Sequence, residues 1–146
     1  MNPILKYALL FTGLQFFALG TFAQISNKSF VGIWELTTIK SNGGVPSDVP
    51  PGLLKIFNAD GTFTNIQVSQ SGSLISHSGK YVVNDEQQYT EIIKIQTSID
   101  EYALAGKTYK IKYVFGLDKK TLKLDGNVDG KNGSPGLTYT EVWRKL

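Results

Sequence analysis

The chain has 146 residues, no cysteine and a single histidine, with 15 Lys and Arg against 12 Asp and Glu. That length holds one domain with a hydrophobic core of its own. The missing thiols exclude disulfide staples, thiolate zinc sites and a lipid-bearing cysteine, and the small positive excess is far from the basic stripe of a nucleic-acid binder.

Residues 1–6 form a short basic start, residues 7–20 are largely apolar, and Thr21 and Ala23 put small side chains at the positions a signal peptidase reads. The apolar run is shorter than the ~20 residues a spanning helix needs. The expectation is a signal peptide over residues 1–23 and a mature domain over 24–146, exported to the periplasm or secreted, with no transmembrane anchor. Without Lys6 the mature part carries 14 basic and 12 acidic residues, a net charge of +2.

Beyond Ser29, strands are expected at intervals of roughly ten residues with turn residues between them, the spacing of a meander, sandwich or barrel. The first covers residues 30–40. Residues 41–52 are too rich in Gly and Pro for a helix or central strand and read as a long loop. Residues 53–58 and 62–70 flank a tight Asn-Ala-Asp-Gly turn. Residues 73–78, between Gly72 and Gly79, read as an extended edge or loop, and 80–84 as a short strand. Residues 89–97 form a clear strand, 99–105 have room for one helical turn, and 107–115 alternate strictly. A strand over 121–125, a Gly-rich loop over 127–136 and a last strand over 137–145 complete the chain.

Side chains alternate across a strand, so each strand can be sorted into faces. Ile93 and Ile95 set an inward face that takes Tyr89 and Glu91 with it. Leu137, Tyr139 and Trp143 set another, and Glu141 falls among them. Trp34, Leu36 and Thr38 share a face, as do Tyr81 with Val83, Lys55 with Phe57, Leu122 with Leu124, and Tyr109 with Ile111, Tyr113 and Phe115. Two carboxylates are thereby expected to point inward among tyrosines. A β-bulge reverses the assignment beyond it.

Gly32-Ile33-Trp34 at the start of the first strand, with Trp143-Arg144 at the end of the last, resembles the signature of lipocalins and the wider calycin barrels. The run from Leu54 to Phe63, with Ser78-Gly79-Lys80-Tyr81, Tyr89-Thr90-Glu91 and Glu141-Val142-Trp143-Arg144-Lys145, is similar to a family of small secreted bacterial lipocalin-like domains of unestablished function. The likeness covers nearly all of residues 30–145. It implies an all-β, eight-stranded antiparallel barrel, closed at one end by Gly32, Trp34 and Arg144, with the guanidinium lying across the indole. It also implies that residues 41–52, which cannot form the two-helix lid of fatty-acid-binding proteins, overhang the open mouth, with Val45, Val49 and Leu53 as a gate.

Glu91 and Glu141 are the leading candidates for chemistry. Beside Tyr89, Tyr113 and Tyr139 they suit a cationic or hydroxylated ligand or a general acid/base pair; equally, each accepts hydrogen bonds that pin the barrel register. His77, without an acid near it in sequence, reads as a solvated loop histidine, which leaves no catalytic triad and no multi-histidine metal site. Asp125 to Gly130 matches the first half of a calcium loop, but Gly136 stands where the bidentate acid belongs, so a hairpin is expected. Lys110, Lys112 and Lys123 share an outer face that suits an anionic glycan or envelope partner, or merely keeps sheets from sticking together. The function expected is non-catalytic binding of a small, partly apolar molecule, without cofactor, through Glu91, Glu141, Tyr81, Tyr89, Tyr109, Tyr113, Tyr139 and Leu36. The rival is a solidly packed barrel acting as an interaction module at the cell envelope, with a glutamate-dependent enzyme third.

Overall fold

In the computed structural model, which describes residues 27–97, 102–130 and 135–146, the chain is antiparallel β throughout after one short 3₁₀ turn at Asn27–Ser29. The leader expected over residues 1–23 lies outside the described residues. The strands are β1 (Gly32–Ser41), β2 (Ser47–Asp48), β3 (Leu53–Phe57), β4 (Thr62–Ser69), β5 (Gly72–Val83), β6 (Gln88–Gln96), β7 (Thr108–Phe115), β8 (Thr121–Val128) and β9 (Leu137–Lys145). The two-residue β2 stands beside β1; the eight long strands each pair with the next, and β9 returns to β1. Closure satisfies the ladder hydrogen bonds that an open sheet leaves at its edges. The expected eight-stranded antiparallel barrel is what forms.

Local chemistry makes the turns. Asp60 Oδ1 accepts from the Thr62 amide at 2.9 Å and its hydroxyl at 2.6 Å, and Asp118 Oδ1 accepts from the Lys120 amide at 2.8 Å. Such Asx turns reverse the chain without outside help. Residues 73–78 are not a loop: β5 runs unbroken through them, Ser73, Leu74 and Ile75 pairing with β4 alone and His77 and Ser78 with both β4 and β6, so that pairing overrides a weak local preference. Gly79 is required there, since a Cβ would lie 2.0 Å from the Ile92 carbonyl oxygen on β6. Of the helical turn expected over 99–105, residues 98–101 lie outside the described residues; Tyr102 instead bridges to Gly130.

Three bulges bend the wall, each with one unmatched residue: Thr37 in β1, Ser76 in β5 and Lys94 in β6. Each flips the alternation. Ile95, expected inward with Ile93, is therefore 56% exposed on the outer surface, while Ile93 is buried. Ile39, and not Thr38, continues the inward face begun by Trp34 and Leu36.

One half of the barrel is filled by rings. Phe30, from the segment before β1, is fully buried and meets Phe57, Tyr81, Tyr89, Tyr113 and Phe115 at centroid distances of 4.8–6.0 Å. Those partners come from β3, β5, β6 and β7, so one side chain ties four strands together. The Trp34 indole, also fully buried, donates to the Phe30 carbonyl at 2.7 Å.

Arg144 does not lie across Trp34. It points outward to Glu35, with Nη2 at 2.6 Å from Oε2, and Lys145 takes the expected place, its Nζ 5.1 Å from the indole centroid. Alternation is the reason: Trp143 points inward, so Arg144 must point out and Lys145 in, opposite Trp34 in the register. Gly32, at φ 138°, clears the path, because a Cβ there would come within 2.7 Å of Lys145 Cε. The cation–π contact over the closed end thus survives with a different cation.

Candidate functional site

The other half of the barrel encloses a cavity of about 220 Å³. Lys55 on β3, Glu91 on β6 and Glu141 on β9 line it where it meets the packed half. These are strands distant in sequence, brought together by closure of the sheet. Ile39, Ile93 and Ile111 give it apolar sides; Asn65, His77 and Tyr139 add polar ones; Tyr102, Leu104, Tyr109, Val128 and Leu137 complete the wall.

Lys55 and Glu91 form a buried ion pair, Nζ to Oε1 at 2.7 Å, with side chains only 4% and 5% accessible. The same Oε1 accepts from the Tyr89 hydroxyl at 2.8 Å. Lys55 Nζ also lies 5.5–5.7 Å from the centroids of Trp143, Phe63 and Phe57. Charge and ring faces together compensate a desolvated ammonium. Burial, then the Glu91 charge, pushes the Tyr89 hydroxyl well above its ordinary value, so it stays a neutral donor.

Glu141 is held differently. Its Oε2 accepts from the Trp143 indole at 3.0 Å, and among the described residues no cation lies within ion-pair distance of it. It lies deep in the barrel yet keeps accessible surface because it faces the cavity. Burial raises its pKa; the Lys55 charge and the Trp143 hydrogen bond oppose that rise, and the Glu91 charge adds to it. The Tyr139 hydroxyl is raised well above the tyrosine range by burial and then by Glu141 and Glu91.

The raised Glu141 carries a pH signature. The folded chain keeps this proton at pH values where the unfolded chain has lost it, so the folded state binds more protons and stability falls as pH rises from the ordinary value of 4.5 through the folded pKa. Glu141→Gln, which still offers Trp143 an acceptor, is expected to match the native protein at low pH and exceed it in stability at neutral pH. Urea midpoints across that range check this; a variant less stable than the native protein at neutral pH contradicts it.

The structure sorts the expected site residues into two groups. Glu91, Glu141, Tyr109 and Tyr139 line the cavity. Tyr81, Tyr89, Tyr113 and Leu36 are inside the barrel but below the cavity, and none lines it. Tyr81 and Tyr113 turn their hydroxyls to the turn carbonyls of Asn58 and Asp85, at 2.9 and 2.8 Å. His77 is not a solvated loop residue: it sits in β5 on the cavity wall, Nε2 2.8 Å from Asn65 Nδ2, with its ring edge-on to Phe63. Val45 is 88% exposed, Val49 and Leu53 pack against the core, and none of the three lines the cavity, so the gate is not built from them.

Lys55 was the residue most open to earlier detection, since it shares a face with Phe57 and two carboxylates were expected inside. Gln96 had no such signal. Its side chain accepts from the Leu104 amide at 2.8 Å and donates to the Tyr102 carbonyl at 2.9 Å, holding two wall residues in place. A second hollow, of about 330 Å³ between Gln67 and Leu74 on the β4–β5 hairpin, has no ionisable group in its lining. Among the described residues no group of three His, Asp or Glu is arranged to hold a metal, and no helix is long and apolar enough to cross a membrane.

A closed antiparallel barrel with a ring-filled end and a cavity above it is the architecture of a lipocalin-like protein. The solution NMR structure of protein lipocalin 12 from rat epididymis is similar, with a TM-score of 0.52 and 13% identity over 82% of this chain and 67% of that one. At that identity the likeness speaks for the fold alone. Residues 29–146 match the family described as Domain of unknown function (DUF4488), and the chain belongs to that family. A search of curated proteins finds no match.

Proposed function

We propose that this is an exported, non-catalytic carrier or sensor that binds one small, partly apolar molecule in the barrel cavity. The observation that carries the reading is the unfilled space itself, bounded by isoleucines on its sides and by Lys55, Glu91 and Glu141 at its inner end. A cavity of roughly 150 Å³ is known to take one benzene ring, so 220 Å³ suits a ligand of one ring or a short chain with a polar head. The size argues against a long acyl chain. Glu91 is tied to Lys55 and Tyr89, an arrangement that orients a polar head but leaves that carboxylate poorly placed to shuttle protons. Export rests on the apolar run of residues 7–20 and the small residues before Gln24.

Native mass spectrometry of protein purified from its own host is expected to show a small molecule travelling with the barrel. Leu137→Trp, which puts an indole into the cavity wall, is expected to abolish that adduct while the strand signal in circular dichroism is kept. Protein that is empty from its host, and that takes up none of a library of single-ring compounds, would rule the reading out in favour of an interaction module.

A further inference from the structure

We propose that the ligand is a small amine whose ammonium group is held by Glu141. This rests on the cavity being a binding site and goes further by naming the head group. Three charged side chains meet at the inner end of the cavity. Lys55 is already committed to Glu91 at 2.7 Å and to three ring faces, so it has little positive charge left for an incoming anion. Glu91 Oε1 accepts from both Lys55 and Tyr89. Glu141 is left without a counter-ion, and Oε2 alone of its oxygens has a hydrogen-bond partner among the described residues. A buried carboxyl in that position either keeps a proton or takes a cation.

An ammonium meets the requirement with charge and with as many as three donors. A carboxylate head would face two glutamates and an occupied lysine, which disfavours fatty acids and other anions. The apolar body would lie against Ile39, Ile93 and Ile111. Where Glu141 is protonated, binding is an exchange: the ammonium enters with its protons, forms an ion pair with the Glu141 carboxylate, and the carboxyl proton leaves to water. The titratable groups facing the same cavity are Lys55 on β3, His77 on β5, Glu91 on β6, Tyr102 between β6 and β7, Tyr109 on β7 and Tyr139 on β9.

Benzylamine, benzyl alcohol and benzoate test this, being one ring with three heads. Calorimetry on the full chain is expected to rank benzylamine above the other two by at least about tenfold, the scale of a hydrogen-bonded charge. Its affinity is expected to fall as pH drops, approaching about tenfold per pH unit for one linked proton. Glu141→Gln is expected to remove both the preference and the slope. Equal or tighter binding of the alcohol or benzoate overturns the amine assignment but leaves the cavity reading intact. Binding of none of the three at millimolar concentration overturns the assignment too, and the cavity reading then falls only if host-purified protein is also empty. A slope that survives in Glu141→Gln traces the proton to another group, His77 foremost, and also overturns it. Should that variant fail to fold, proton release by the native protein, read in two buffers of different ionisation enthalpy at mildly acidic pH, decides the matter: none released, and the exchange is wrong.

Discussion

Lys55→Met is expected to destabilise the barrel by about 3–5 kcal/mol, the cost of stranding one member of a buried ion pair. Methionine keeps most of the unbranched stem, so the packing against Phe57, Phe63 and Trp143 is largely preserved and the loss isolates the charge. What remains is Glu91, with a side chain 5% accessible, one hydroxyl donor from Tyr89, and Glu141 on the same cavity. Adding Glu91→Gln to Lys55→Met is expected to restore most of the loss, because the carboxylate that Lys55 neutralised is then gone as well. Urea unfolding of the two variants at neutral pH measures both effects. A loss under about 1 kcal/mol for Lys55→Met, typical of an exposed pair, would show that the pair is solvated.

Phe30→Ala is expected to cost a similar amount, about 3–5 kcal/mol, for a different reason. The ring is fully buried and its partners are anchored on four separate strands of a closed barrel, so the walls cannot move in to fill the space. The variant keeps the backbone carbonyl that accepts from Trp34, and that contact should persist. The two substitutions separate in their effect on the cavity. Phe30 lies in the packed half, so a variant folded at low temperature should bind its ligand as the native protein does, whereas Lys55→Met alters the charge at the inner end of the site. A stability loss well below that range would mean that the closed end relaxes around the missing ring.

Much of this arrangement was legible before any coordinates. The inward placement of Glu91 and Glu141 follows from their neighbours, since a period of two ties each to Tyr89 and Ile93 or to Tyr139 and Trp143. The same rule, applied to Trp143, forbids Arg144 from facing Trp34 and selects Lys145; the motif resemblance pointed to the wrong cation, and the alternation to the right one. Ile95 and Thr38 were misplaced because Lys94 and Thr37 are bulged. A bulge changes one pairing between strands and leaves no trace in the local pattern. His77 was misread for a related reason. Its segment, Ser73 to Ser78, has little strand preference of its own and becomes strand by pairing with β4, and at His77 and Ser78 with β6 as well.

Turn chemistry and the face alternation of an unbulged stretch are local properties of adjacent residues, and for these the amino-acid order is sufficient. Partnership inside the barrel is not local. Lys55 meets Glu91 from 36 residues away, and Phe30 meets Phe115, only because sheet closure sets the register between strands. Register is a sum of many ladder contacts and three bulges, and it alone converts two inward acids into one neutralised pair and one carboxyl still without a counter-ion.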